Sequence, residues 1–274
     1  MKSDEIEDKK VSTFSREAPV SGLHPIGSFA RIKPLDSDRG GGTAAAKQLK
    51  RWEVSGTIEM DVGGRSKTFD HTNTVPPEVT QAEIYEIIAA PLVKRFMEGY
   101  DVDMICYGQT GSGKTFTIFG PPNSMAVASE SQRKSGAGSG VDGIVMPEHG
   151  FLLRAGMEAL SIMETLKSQG MRVALHGSMV EMSIQSFQDQ SVRDLQKGLA
   201  VCFVDDNHHL QGAEQRELRS AGDVVQMAAS VETRLTRGTR MNDTSSRSHC
   251  VCGLKLTLLD PSNGTGTCYI REWS

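Results

Sequence analysis

The chain has 274 residues, of which 38% are hydrophobic and 23% charged, and its formal net charge is −4. Together with its 28 glycines, the apolar fraction reaches the range of ordinary globular domains, which excludes wholesale disorder, a collagen repeat and a coiled coil. No stretch approaches the roughly 18 consecutive apolar residues of a membrane span, and the charged amino terminus does not resemble a secretory signal. The slightly acidic balance provides no global attraction to nucleic acid or to an anionic membrane. These features predict a cytosolic globular protein that holds any anionic ligand in a local site.

The length fits one large domain or two small ones. Residues 1–24 lack apolar periodicity and are predicted to be a flexible tail, whereas residues 25–274 carry the strands and helices of a layered α/β domain. Residues 120–143 are rich in Gly, Ser and Pro, and they predict a long surface loop within that domain. The five cysteines include no C-x-x-C pair, which indicates small buried thiols.

The first half of the chain predicts a strand, a turn and a helix. Residues 26–35 form a short apolar run that a proline ends, since proline cannot donate to a sheet. Residues 61–64 read DVGG and predict a hairpin turn. Residues 80–100 place apolar side chains at helical spacing after a T-x-x-E capping box, and Pro91 predicts a kink in that helix.

The second half alternates between strands and helices. A brief apolar strand is predicted at 101–107 and a helix at 151–164. The apolar run at 171–184 predicts a further strand, and the capping pattern that begins at Ser220 predicts a helix after it. Residues 250–258 alternate strictly between apolar and other residues, which is the pattern of a strand with one buried face.

The motif that most strongly indicates a ligand site follows the predicted strand at 101–107. Residues 108–115 read GQTGSGKT and satisfy the phosphate-loop pattern G-x-x-x-x-G-K-[ST]. Glycines let backbone N–H groups converge on phosphate oxygens, the Lys114 ammonium adds a point charge, and the Thr115 hydroxyl can ligate Mg²⁺. A flexible Gly/Ser connection is the alternative, but the strand before the motif and the helical pattern after it favour a nucleotide site. The candidate residues are Gly108, Gln109, Thr110, Gly111, Ser112, Gly113, Lys114 and Thr115.

A second polar motif, NDTSSRSH at 242–249, precedes the last predicted strand. Hydrolysis of a nucleotide needs groups that position water and contact the γ-phosphate, in addition to the loop that holds the phosphates. Clusters of Asn, Asp and Ser are common in ordinary turns, so the motif alone would indicate a turn. Its combination with a phosphate loop favours a catalytic role.

The two motifs together resemble those of the kinesin motor domain. GQTGSGKT is similar to the phosphate loop of that family, and NDTSSRSH fits its first switch, N-x-x-S-S-R-S-H. Residues 31–34, RIKP, look like the family's adenine motif R-x-R-P with Lys in place of the second Arg. Further likenesses lie at 69–70, 80–100, 143–147 and 192–195, and the resemblance spans about residues 25–274. It implies an α/β phosphate-loop NTPase fold of the kinesin type, with a mixed central sheet, helices on both faces and an incomplete C-terminus.

The resemblance implies individual roles for the nucleotide-binding residues. Arg31 and Pro34 would line the adenine, and Phe116 would stack on it. Lys114 and the neighbouring glycine amides would bind phosphate, while Thr115 would bind Mg²⁺.

The resemblance also implies roles in the first switch. Asn242 would approach the γ-phosphate, and Ser245 and Ser246 would hold the Mg²⁺ shell and the attacking water. Arg247 would pair with a glutamate of the second switch. The implied metal-binding residues are thus Thr115 and Ser246.

Two departures from the family pattern stand out. Residues 186–190 read SFQDQ where the family prefers Glu-Ile-Tyr-Asn-Glu, which indicates a divergent member. The second switch, D-x-x-G-S-E, does not follow the strand at 250–258, where the only later aspartate is Asp260. We therefore expect a sequence truncated before the second switch.

The truncation predicts a loss of structure around the phosphate loop. In the family fold, strands from beyond this point flank the strand at 101–107, so we expect it to lose ladder partners on both sides. Each buried backbone group left unpaired costs about 1–3 kcal/mol. The isolated chain is therefore expected to fold poorly and to lack motor activity.

The sequence therefore predicts the amino-terminal part of a kinesin-like motor whose parent protein hydrolyses MgATP to move on microtubules. The implied cofactors are ATP and Mg²⁺, and the implied partner is tubulin, with no nucleic acid, no membrane insertion, and a homodimer only through regions outside this chain. The implied location is the cytoplasm and its microtubule cytoskeleton, and the strings ICYGQT and SRSHC resemble flagellar kinesins. The alternative is a degenerate or truncated motor that serves as a non-catalytic nucleotide-binding or interaction scaffold. Another phosphate-loop NTPase, such as a helicase, would not account for the first-switch string.

Overall fold

The computed structural model describes residues 27–34, 49–53, 56–70, 73–121, 123–124, 128, 144–186, 189–205, 210–232, 248–260 and 264–273. The chain divides into two compact units, of which one ends at Pro76 and the other begins at Pro77. The predicted tail at 1–24 and most of the predicted surface loop at 120–143 lie outside the described residues.

The first unit contains two small sheets. In one, β1 pairs in parallel with β5, and in the other β2, β3 and β4 pair antiparallel in that order. Their bounds are Phe29–Arg31 for β1, Leu49–Trp52 for β2, Thr57–Val62 for β3, Arg65–Asp70 for β4 and Asn73–Val75 for β5. The predicted strand at 26–35 is confirmed as the shorter β1.

A tight turn joins β3 to β4, as the string DVGG predicts. Gly63 and Gly64 both have positive φ, at 63° and 77°, which is the backbone that a two-residue hairpin turn requires. The amide of Gly64 also donates to Asp61 Oδ1 at 2.8 Å. Residues 61–64 match the letters D-x-x-G, which also begin the second-switch pattern, but they form the turn of the β3–β4 hairpin.

The second unit is built on an eight-stranded mixed sheet. The strand order is β10-β9-β8-β7-β12-β13-β6, with β11 paired to β7. The bounds are Val102–Ile105 for β6, Arg172–Ser186 for β7, Asp189–Asp194 for β8, Ala200–Val204 for β9, Leu210–Gln211 for β10, Arg216–Glu217 for β11, Ser248–Asp260 for β12 and Gly264–Trp273 for β13. The mixed sheet with flanking helices that the sequence predicts is confirmed.

The prediction that the strand at 101–107 loses both sheet neighbours is wrong on one side. β13 pairs with β6 in parallel, with Ile270 opposite Val102 and Trp273 opposite Ile105. β13 reaches this position because it forms a long antiparallel hairpin with β12, so the chain itself supplies the neighbour. Among the described strands β6 ends the order, and Ile105 is 69% exposed.

Helices of the second unit follow the capping signals in the sequence. They are α1 (Gln81–Ile84), a π-helical turn (Tyr85–Ala89), α2 (Ala90–Met97), α3 (Lys114–Phe119), α4 (Phe151–Ser168) and α5 (Ala221–Ala229). The predicted capping boxes at Thr80 and Ser220 are both present. The π-helical turn directly precedes α2, and Pro91 lies in the first turn of α2, where a missing N–H is tolerated. None of the described helices is long and apolar enough to cross a membrane.

Close packing joins α4 and α5 to the sheet. The alternating residues Cys250, Cys252, Leu254 and Leu256 of β12 are buried, as the sequence predicts. At Gly177 of β7, a Cβ atom would overlap the sulfur of Met227, and at Gly156 of α4 it would lie 2.6 Å from Val224 Cγ1. A side chain at Gly156 would therefore have to displace Val224, and one at Gly177 would have to displace the end of Met227, so both glycines allow close packing.

Replacing Ser220 by Ala should lower the free energy of unfolding by about 1 kcal/mol. Ser220 Oγ accepts from the amide of Asp223, and Asp223 Oδ2 accepts from the amide of Ser220 at 2.8 Å. Without the hydroxyl, the amino end of α5 loses an acceptor. Urea unfolding measures the change, and Ser220→Thr, which keeps the hydroxyl, is the matched control. Equal unfolding midpoints for the Ala variant and the wild type would contradict this role.

Candidate phosphate-binding site

The loop between β6 and α3 has the backbone that its glycines predict. Gly108 has a φ of 157°, and a Cβ atom there would lie 2.5 Å from Ser112 Oγ. Gly113 has a φ of 103° and forms the amino-terminal end of α3 in a left-handed conformation. Both positions therefore favour glycine, one because the chain approaches itself closely and the other because of its φ.

Lys114 lies across this loop. Its Nζ donates to the carbonyl oxygens of Gly108 and Gln109, at 2.8 and 3.1 Å. At Gly111 and Gly113 a Cβ atom would meet nothing within 4 Å, so the glycine side of the loop has open space. An ammonium, a glycine backbone and open space beside them suit a phosphate group.

The next two side chains are placed to extend such a site. Thr115 is half-buried one residue after Lys114, and Phe116 is 41% exposed. The Thr115 hydroxyl is a hard oxygen ligand of the kind that Mg²⁺ prefers, and the Phe116 ring offers a surface for a base. The donor set thus fits a magnesium nucleotide.

The carboxyl end of α3 packs tightly against the start of α4. The amide of Gly120 donates to Phe116 O at 2.9 Å and ends the helix. A Cβ atom at Gly150 would lie 2.5 Å from the carbonyl carbon of Ile118, so the two backbones are in direct contact. The sequence analysis did not identify Gly150. The only signal for it is that a glycine directly precedes Phe151, the first residue of α4.

A buried histidine contacts residues near both ends of the predicted surface loop at 120–143. His149 is 0% exposed, and its Nδ1 accepts from the amide of Met146 at 2.8 Å. Its Nε2 lies 3.1 Å from the carbonyl oxygen of Ser124, which can only accept, so the ring proton is on Nε2. Burial lowers the pKa of His149 below its ordinary value and keeps the ring neutral.

Arg154 supports the same segment from α4. Its Nε donates to His149 O at 3.0 Å, and its Nη2 donates to the carbonyl oxygens of Met146 and Pro147, each at 2.9 Å. The guanidinium therefore satisfies three carbonyl groups just before α4. Neither His149 nor Arg154 was predicted from the sequence, because neither belongs to a recognisable motif.

The first-switch residues Asn242, Ser245, Ser246 and Arg247 lie outside the described residues. The end of that motif is described, since Ser248 opens β12. Ser248 Oγ donates to Glu181 Oε1 of β7 at 2.9 Å, and Glu181 is 8% exposed. Arg31 and Pro34 belong to the first unit, at the end of β1, where Arg31 is half-buried and Pro34 exposed.

No group of His, Cys, Asp and Glu side chains suited to hold a metal ion occurs among the residues that the structure describes. A metal held by hydroxyl groups such as that of Thr115, by a nucleotide and by water needs no such group. His176 is half-buried, and it belongs to no group of that kind within the described part of the chain.

The second unit therefore has the architecture of a phosphate-loop nucleotide-binding protein, in which a strand, a glycine-rich loop and a helix follow one another at the edge of a mixed sheet. A sequence model of the kinesin motor domain matches residues 31–269. The chain belongs to the kinesin motor domain family.

Individual relatives agree with this assignment. The kinesin-like protein KIN-14L of Arabidopsis thaliana is 31% identical over 205 residues, which is 73% of this chain and 19% of that protein. The kinesin-like protein cut7 of Schizosaccharomyces pombe is 27% identical over 196 residues, 70% of this chain and 16% of that protein. The chain thus spans about a fifth of the length of these curated relatives.

A solved structure shows the same fold. It belongs to a fast kinesin described for its ATPase mechanism and its interactions with microtubules, and it aligns with a TM-score of 0.68 at 15% identity. The alignment covers 90% of this chain and 64% of that one.

Lowering the pH should destabilise the protein through His149. The unfolded chain binds a proton on this ring below about pH 6.5, whereas the pKa of the buried ring is lower. The stability that the neutral ring contributes is therefore lost as the pH falls below about 6.5. The thermal unfolding temperature of the wild type should therefore fall between pH 7.5 and 5.5 more steeply than that of His149→Gln, whose amide does not titrate.

A matched control separates this effect from general acid sensitivity. His249 is exposed on β12, and His249→Gln should keep the pH dependence of the wild type. Parallel curves for the wild type and His149→Gln would show that His149 does not carry the effect.

Proposed function

We propose that the chain is the nucleotide-binding part of a microtubule motor that binds MgATP through residues 108–116, and that the complete protein hydrolyses ATP to drive movement along microtubules. The observation that carries this proposal is the Lys114 ammonium lying over a glycine loop between a sheet strand and a helix. Membership of the kinesin motor domain family supports it, since that family is an ATPase family.

Each residue of the loop has a proposed role. The amides of Gly111, Ser112 and Gly113 donate to phosphate oxygens, and Lys114 exchanges its carbonyl partners for the β- and γ-phosphates. The Thr115 hydroxyl would hold Mg²⁺, which would neutralise charge on the phosphates. Gly108, Gln109 and Thr110 complete the loop.

The base and the γ-phosphate are contacted by other parts of the chain. We propose that Phe116 stacks on the adenine. The adenine-lining roles of Arg31 and Pro34, and a single motor domain spanning 25–274, stay predictions. The match at 31–269 includes parts of both units.

The first switch is proposed to carry the catalytic groups. Asn242 would contact the γ-phosphate, Ser245 and Ser246 would hold the attacking water and the Mg²⁺ shell, and Arg247 would pair with a glutamate of the second switch. The hydrogen bond from Ser248 to Glu181 supports this, because it attaches the end of the motif to the sheet.

Microtubules are the proposed partner, and the microtubule cytoskeleton is the proposed location. The fast kinesin whose fold this chain shares is described as interacting with microtubules, which supports both proposals. The flagellar location and the homodimer stay predictions.

Replacing Lys114 by Ala should weaken MgATP binding about a hundredfold or more, because hydrogen bonds to charged groups contribute about 1.5–3 kcal/mol each and the lysine contacts two phosphates. Titration calorimetry with MgATP measures the dissociation constant. Lys167→Ala, which removes an exposed lysine near the end of α4, is the control and should bind as the wild type does.

If the wild-type chain binds no MgATP, the proposed function is wrong. The same preparation can also be tested for turnover. A microtubule-stimulated ATPase measurement on the chain then tests the expectation that it is inactive alone, and turnover at the rate of a complete motor would contradict that expectation.

A further inference from the structure

Gln81 is a buried polar residue in the first turn of α1, and the cap of that helix does not use its side chain. Gln81 is 4% exposed. The cap is formed by Thr80 and Glu83, whose side chains each accept from the backbone amide of the other. A buried side-chain amide needs hydrogen-bond partners, so those of Gln81 must lie on other elements.

The partners of Gln81 lie on the phosphate-loop helix and beside α4. Gln81 Nε2 donates to the carbonyl oxygen of Phe116 in α3, and it lies 3.5 Å from the carbonyl oxygen of Glu148. Glu148 is two residues before Gly150, where the backbone of α4 meets that of Ile118. Gln81 therefore lies at the junction of α1, α3 and the start of α4.

The phosphate-loop helix depends on contacts of this kind. α3 has only six residues, and its N-cap residue, Gly113, makes no side-chain cap hydrogen bond. Helices this short are unstable in water by themselves, so packing and hydrogen bonds from outside decide how α3 is oriented. The first three residues of α3 are Lys114, Thr115 and Phe116, and a rotation of the helix would move all three side chains.

We propose that Gln81 is a positioning residue for nucleotide binding. By holding the carbonyl of Phe116 it fixes the orientation of α3, and through α3 it places the Lys114 ammonium and the Thr115 hydroxyl. Gln81 itself contacts no phosphate. This inference rests on the proposed MgATP function of the same loop.

Replacing Gln81 by Leu tests the role. Leucine fills a similar space but cannot donate, so MgATP should bind about five- to tenfold more weakly, which is the loss expected for one hydrogen bond that sets the binding geometry. Gln81→Asn, with an amide one methylene shorter, should weaken binding in the same direction. Titration calorimetry gives the dissociation constants directly.

Gln196 is the matched control. Its Nε2 also donates to two backbone carbonyl oxygens, those of Gly177 at 3.2 Å and Glu214 at 3.3 Å. Gln196 follows β8, however, which is four strands away from β6 in the sheet order. Gln196→Leu should lower the unfolding temperature as Gln81→Leu does, yet leave the dissociation constant of MgATP at the wild-type value. The shift in unfolding temperature caused by MgATP reports binding to the folded molecules, and it applies even to a destabilised variant.

The outcomes separate this inference from the function on which it rests. If the wild type binds MgATP and both Gln81 variants bind it equally well, the positioning role is wrong and the proposed function stands. If Gln196→Leu weakens binding as much as Gln81→Leu, the effect is a general loss of stability and the inference fails. If the wild type binds no MgATP, the proposed function fails and this inference fails with it.

Discussion

The parallel pairing of β6 with β13 is the constraint on which the site depends. β6 has four residues, and among the described strands β13 is its only neighbour. Paired backbone groups fix both the direction of β6 and the point at which it ends, and the phosphate loop starts three residues later. The long β12–β13 hairpin supplies this neighbour from within the chain, so the loop leaves the sheet at a defined place.

Contacts from α1 and from the segment before α4 hold the helix that follows the phosphate loop. Gln81 binds the carbonyl of Phe116, and the close contact at Gly150 fixes the end of α3. His149 and Arg154 in turn hold the segment before α4 by accepting from an amide and donating to carbonyls. Buried groups of this kind are costly to leave unpaired, so together they favour one arrangement of the short helix.

Patterns of local spacing were sufficient to predict several of the elements and the glycine conformations of the loop at 108–115. The cap at Ser220, the alternation from Cys250 onward and the glycine backbone of the loop at 108–115 each depend on residues a few positions apart, and each is confirmed. Phosphate binding by that loop stays a prediction. The order of the motifs was also sufficient to indicate the kinesin family, which the match at 31–269 shows. In contrast, residues 264–273 show no clear alternation, and the neighbour of β6 was therefore missed.

The sequence alone thus determined the elements that carry a clear local signal, such as the capped helices and the alternating strand β12, and the glycine conformations of the loop at 108–115, because hydrophobic period, capping and glycine placement act between near neighbours. Only the folded chain decided that β13 lies beside β6 and that Gln81, 35 positions before Phe116, holds the phosphate-loop helix. A glutamine in the first turn of a helix has the same local pattern whether it faces water or a distant carbonyl. Which of the two it meets depends on how the elements pack, and no local spacing carries that information.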